Sequence, residues 1–214
     1  MLMTYYKNLL AEGTVGAYVA LGVLGLALLF ILLQAIMAYG RGTSRSVLRL
    51  LTVAACAAFA FVATPIIGNV LLLDVSFGTM LPIKSTSLAP ILEASVKEIL
   101  FPFIFVVIFL LSSILILIPY KLICGILGFS YERNNTATRL FAILVGVGHA
   151  VFTFLLVISP FFNCMRVYEK AAKAEPDSSS ASVYEKYIED TVESPLYEYP
   201  MDFLGERALD KLIK

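Results

Sequence analysis

Charge is what this sequence has least of. Charged residues make up 15% of its 214 residues, against roughly 25% in an ordinary soluble domain. The deficit is concentrated. Residues 13–40, 50–73, 99–120 and 140–165 contain no Asp, Glu, Lys or Arg. Each stretch exceeds the ~20 residues that an α-helix needs to cross a bilayer. A soluble core helix would carry a polar stripe every three or four residues, and these stretches carry none.

Other absences exclude chemistry. There is a single histidine, His149, and the apolar spans hold no carboxylate. A membrane metalloprotease needs several His or Glu ligands, and a serine protease needs a base beside its serine. Cys56, Cys124 and Cys164 form neither a C-x-x-C pair nor a zinc spacing, which speaks against a thiol oxidoreductase or a structural zinc. No G-x-x-x-x-G-K-[ST] phosphate loop occurs. Lys+Arg and Asp+Glu both number 16, and no basic run is long enough to track nucleic acid. The expectation is a protein with no catalytic, cofactor or metal site and no nucleic-acid partner.

What is present is an all-α, polytopic membrane pattern. About four transmembrane helices are expected over 15–39, 47–73, 99–118 and 138–161, within a domain of residues 1–162. The first apolar run is longer than the ~7–15-residue core of a signal peptide and no A-x-A site follows it, so it reads as a retained helix. Its small residues Gly13, Gly16, Ala17 and Ala20 recur four apart, a spacing that lets helices approach closely. Pro65 should kink the second helix by freeing the Phe61 carbonyl. Leu88, Ile91, Leu92, Ser95 and Ile99 share one face of a short amphipathic helix before the third span. Ala142, Gly146 and Ala150 form a close-packing face on the fourth.

Residues 163–214 differ in composition, with 7 Lys/Arg and 11 Asp/Glu. Val183, Tyr184, Tyr187, Ile188 and Val192 line one face of a short helix, and Phe203 to Ile213 mark a last one. This is a helical tail, too short for a confident core of its own.

Loop charge sets the expected orientation. The first loop has Arg41, Arg45 and Arg49 and no acid; the third has Lys121, Arg133 and Arg139 against Glu132. The second has two lysines against three acids. Basic loops stay in the cytoplasm, which places both termini and the tail outside the cell membrane. Arg41, Arg45 and Arg49 are topology signals and also candidates for contact with an anionic lipid or a partner. His149 falls near mid-span, with Gln34 and Asn69 as candidate intramembrane hydrogen-bond partners; a proton-relay role for it is the alternative.

With those residues in hand, the chain resembles the colicin V production (CvpA) family of bacterial inner-membrane proteins. The family's R-G-x-x-R between its first two helices is matched by Arg41, Gly42 and Arg45. Its R-x-x-G-x-x-x-G-x-x-[basic]-G pattern entering the last helix is matched by Arg139 and Gly146. Ala142 and Ala150 stand where glycine is usual, and His149 where Arg or Lys is usual. The order of a proline-bearing lead-in, a third helix with Pro102 and Phe103, and a basic loop also agrees. The tail resembles that of the longer Gram-positive-type members. The resemblance implies a non-enzymatic protein that supports production or export of a peptide toxin, or envelope homeostasis. Its partners beyond the bilayer would be a second copy of the chain or an envelope or export protein. Two other readings stay open: a channel or transporter subunit built on the Gly- and Pro-bearing helices, and a scaffold whose Tyr184, Tyr187, Tyr197 and Tyr199 bind an extracytoplasmic partner.

Overall fold

The computed structural model describes residues 13–70, 96–126, 136–174, 176, 179–193 and 197. Helix α1 spans Val15–Arg41, α2 Thr43–Val70, α3 Val96–Leu115, α4 Leu117–Ile126 and α5 Thr136–Ala174. Two short helices follow, α6 Ser179–Val183 and α7 Glu189–Val192, joined by a π-helical turn over Tyr184–Ile188. Among the described residues there is no strand. The expected amphipathic segment before the third span lies outside the described residues except at Ile99, as do residues 131–135 of the third loop and the last helix expected at 203–213.

Four helical runs are long and apolar enough to cross a membrane: α1, α2, Lys97–Ile126 through α3 and α4, and α5. In hydrocarbon every backbone amide must be bonded within its own segment, which leaves an unbroken helix as the answer for a single run. The pattern of burial settles the solvent. The buried set is rich in small residues: Ala17, Ala20, Ala38, Ala60, Ala142 and Ala150 are all essentially covered. The large aliphatics point outwards, with Leu26, Leu32, Ile66, Ile114 and Leu144 exposed. A water-soluble bundle does the reverse. Lipid tails are as apolar as leucine, so nothing drives leucine inwards, and small residues take the interface because they let backbones approach. The chain is an all-α, multi-pass membrane protein in contact with the bilayer.

The helix ends have local causes. Gly42, at φ 81°, ends α1 in the left-handed conformation that only glycine adopts without strain. Its N–H reaches the Ala38 carbonyl at 3.1 Å and its own carbonyl accepts from Ser46 N–H at 3.2 Å. The loop expected at 40–46 is therefore a one-residue link, with α2 beginning at Thr43. Pro65 lies within α2, which continues to Val70. Between α3 and α4 the break falls at Ile116, just after Leu115, whose carbonyl would need the N–H that Pro119 lacks. Pro119 sits in the first turn of α4, where no intrahelical donor is missed.

The fourth helix does not stop at 161. Helix α5 has 39 residues, about 58 Å at the usual rise, nearly twice the ~30 Å hydrocarbon thickness. Its C-terminal part, with Arg166, Glu169, Lys170 and Lys173, therefore lies beyond the hydrocarbon. Good helix formers carry it on, and Lys173 pairs with Glu169 at 2.6 Å, one turn apart. Residues 163–174 thus continue the helix beyond the hydrocarbon.

The chain divides into two compact units, and each of the four spans contributes to both. Unit 1 comprises residues 1–25, 64–104 and 158–214. Thr14 caps α1 by accepting the Ala17 N–H at 3.1 Å, and its hydroxyl donates to the Asp190 carboxylate at 2.5 Å. Asp190 lies so close over Gly16 that a Cβ there would overlap it. Gly68 likewise leaves room for the buried Phe101 ring. The Asn163 amide donates to the Glu98 carbonyl, and Lys170 lies 3.7 Å from the Glu98 carboxylate. Phe162 and Tyr197 meet edge to face at 5.1 Å, with Ile158, Met165 and Val192 around them. Asp190, Val192 and Tyr197 of the tail are thus packed within unit 1.

That packing makes the tail sensitive to alkali. Burial, then the nearby Glu169, Glu189 and Glu193 carboxylates, push the Tyr184 hydroxyl from 10.0 up to about 12. Burial also raises Tyr197, reinforced by Glu169 and partly opposed by Arg166. Between pH 10 and 12 the folded tail holds a proton that the unfolded chain has released. Its stabilisation is complete below pH 10 and is lost as pH rises through about 12. Tyrosinate absorbance should show Tyr184 titrating late, and Tyr184→Phe should flatten the fall in denaturation midpoint over that interval. A wild-type midpoint that is level across it would contradict this assignment.

Candidate functional site

Unit 2 comprises residues 26–63 and 105–157. Its described residues contain five cations, Arg41, Arg45, Arg49, Lys121 and Arg139, and no Asp or Glu. All lie near the α1–α2 link, in α4 or at the start of α5, at one end of the helices that form the unit.

Arg139 and the link are bonded together. The Arg139 guanidinium donates through Nη1 to the Tyr39 hydroxyl at 2.8 Å and its carbon stands 4.9 Å from the centre of the Tyr39 ring. The Thr43 hydroxyl donates to the Thr138 carbonyl at 2.6 Å. One turn beyond Thr138, Ala142 is fully buried. Gly146 then faces α1: a Cβ on it would overlap the Ala38 Cβ and stand 3.1 Å from the Gln34 carbonyl. Ala150 is fully buried one further turn along.

Arg41, Arg45, Tyr120, Lys121, Cys124 and Gly125 line a cavity of about 350 Å³. The Tyr120 hydroxyl donates to the Arg45 carbonyl at 3.2 Å and so ties α4 to α2. Arg49 does not line this cavity. It lines a neighbouring one of about 210 Å³, which shares Tyr120. The three arginines are thus split between two adjacent spaces.

The intramembrane amides and the imidazole are placed differently. His149 and Gln34 are both buried in unit 2, and among the described residues neither His149 Nε2 nor Gln34 Oε1 has a hydrogen-bond partner. Asn69 is exposed and belongs to unit 1. Among the described residues, no three His, Cys, Asp or Glu side chains gather as a metal would require.

No protein-family model, curated protein or solved structure matches this chain. What the site can do therefore rests on its own chemistry. Two arginines and a lysine around an open cavity attract a phosphate or carboxylate, and arginine offers such groups a planar two-bond fork. Reading the sequence missed Tyr39 and Tyr120. Both carried a signal: each stands within two residues of a cation, Arg41 or Lys121, at the edge of a charge-free span, where tyrosine commonly sits at the headgroup level.

Proposed function

We propose that this chain is a non-enzymatic protein of the cell membrane, supporting production or export of a peptide toxin or homeostasis of the envelope, as its resemblance to the colicin V production family implies. One observation supports the reading above others. The two segments that carry the resemblance, Arg41–Gly42–Arg45 and Arg139 with Gly146, are far apart in sequence and meet in unit 2. Gly42 makes the link possible, Thr43 bonds Thr138, Arg139 bonds Tyr39, and Gly146 admits α1. Residues selected as a pattern in sequence thus work as one joint, which favours a family constraint over coincidence.

The orientation belongs to the same proposal. Five cations at one end of unit 2, with no carboxylate among the unit's described residues, favour the cytoplasmic side for that end. The mixed charges of residues 163–193 and both termini then lie outside.

The reading predicts a phenotype. A deletion strain should secrete less peptide toxin or become more sensitive to envelope stress, and the wild-type gene should restore it. Complementation with Arg139→Ala at normal expression should be weaker, because the joint loses both its hydrogen bond and its cation–π contact, each worth about 1 kcal/mol. Unchanged secretion and unchanged stress sensitivity in the deletion strain would remove this reading.

A further inference from the structure

We infer that the basic cavity and the slot beside it form one binding site for an anionic phospholipid, its phosphate against Arg41, Arg45 and Lys121 and one acyl chain along the slot. The inference stands on unit 2 alone and does not depend on the family resemblance.

The first space suits the phosphate. Its wall carries two guanidinium groups and an ammonium. Its volume of about 350 Å³ lies within the range of small-molecule sites, roughly 300–1,000 Å³. The positive charge is placed at the ends of spanning helices, the depth at which lipid headgroups lie.

The second space suits a chain. It borders the first at Tyr120, which lines both, and its wall is otherwise Arg49, Val53, Leu110, Ile114, Ile116 and Leu117 with two hydroxyls. Free phosphate would have no use for such an apolar extension, and a neutral lipid would have no use for the cations. One polar atom in the slot lacks a partner. Ser113 Oγ is buried and unbonded among the described residues, whereas its neighbour Ser112 bonds back to the Phe109 carbonyl at 3.0 Å. A buried hydroxyl without a partner is unfavourable, and an ester carbonyl of the lipid would accept from it.

Native mass spectrometry of the full chain in mild detergent tests this, with phosphatidylglycerol, phosphatidylcholine, glycerol phosphate and inorganic phosphate as probes. Phosphatidylglycerol should be retained about tenfold more strongly than phosphatidylcholine, the scale expected when basic side chains meet one anionic headgroup. Excess glycerol phosphate or inorganic phosphate should not displace it, since neither fills the slot. Arg41→Gln combined with Lys121→Gln should bring retention down to the phosphatidylcholine level. Ser113→Phe, which fills the slot and leaves every charge in place, should do the same. Equal retention of the two lipids by the wild-type chain would overturn the inference without reference to any variant. Displacement by phosphate would overturn it in favour of a free-anion site, and undiminished retention by Ser113→Phe in a monodisperse sample would remove the slot.

Discussion

Gly146→Leu should lower the thermal unfolding midpoint of the purified protein sharply, while Leu144→Ala leaves it almost unchanged. The two positions are neighbours on α5 and face opposite environments. Leu144 is 67% exposed, directed at lipid, where exchanging one apolar group for another changes little; surface substitutions of this kind usually lie within about 0.5 kcal/mol. Gly146 is buried against α1. A single added carbon overlaps the Ala38 Cβ and comes within 3.1 Å of the Gln34 carbonyl. The second contact is with backbone, so no rotamer change relieves it, and α1 must move away. Overpacking of a tight interface costs roughly 1–3 kcal/mol. Separation would also reach the joint beyond it, because Tyr39 lies next to Ala38 and is the residue that holds Arg139. Chromatography should show the leucine variant losing its monodisperse peak on mild heating before the wild type does. Equal midpoints for the two variants would mean that Gly146 meets lipid and that α1 and α5 are not joined there.

The spans were legible in the sequence because four charge-free runs, each long enough to cross a bilayer, could not all be hidden from water within so short a chain. The ends at the α1–α2 link were legible less well. Gly42 shows why: its neighbours Arg41, Thr43 and Ser44 are polar and look like a loop, yet one residue with positive φ turns the chain and lets helix continue on both sides. The C-terminal end of α5 failed for the opposite reason. Asn163 and the charges after it suggested an exit from the membrane, which is what they mark, but leaving hydrocarbon does not require leaving the helix. The small-residue face at Ala142, Gly146 and Ala150 could be read from spacing, since four-residue recurrence puts those positions on one side of α5. Which helix lies against that face could not, because spacing says nothing about the neighbour. The same gap concealed the basic cavity. Arg41 and Arg45 stood out by charge, but Lys121 and Tyr120 sit far along the chain, and the bond from Tyr120 to the Arg45 carbonyl joins the two segments.

Site-directed labelling of α5 tests most directly whether this chain crosses the membrane as described. Thr136 begins that helix and Glu185 lies beyond its end, and both are exposed. With Cys56, Cys124 and Cys164 replaced by alanine, Thr136→Cys and Glu185→Cys provide one thiol each. The four-span account, with its basic end in the cytoplasm, predicts that a membrane-impermeant maleimide labels the cysteine at 185 in intact cells and reaches the one at 136 only after permeabilisation. Reversed labelling would invert the orientation and place the five cations outside. Equal labelling of both positions in intact cells would contradict the account itself, since two ends on the same side mean that α5 does not span the bilayer.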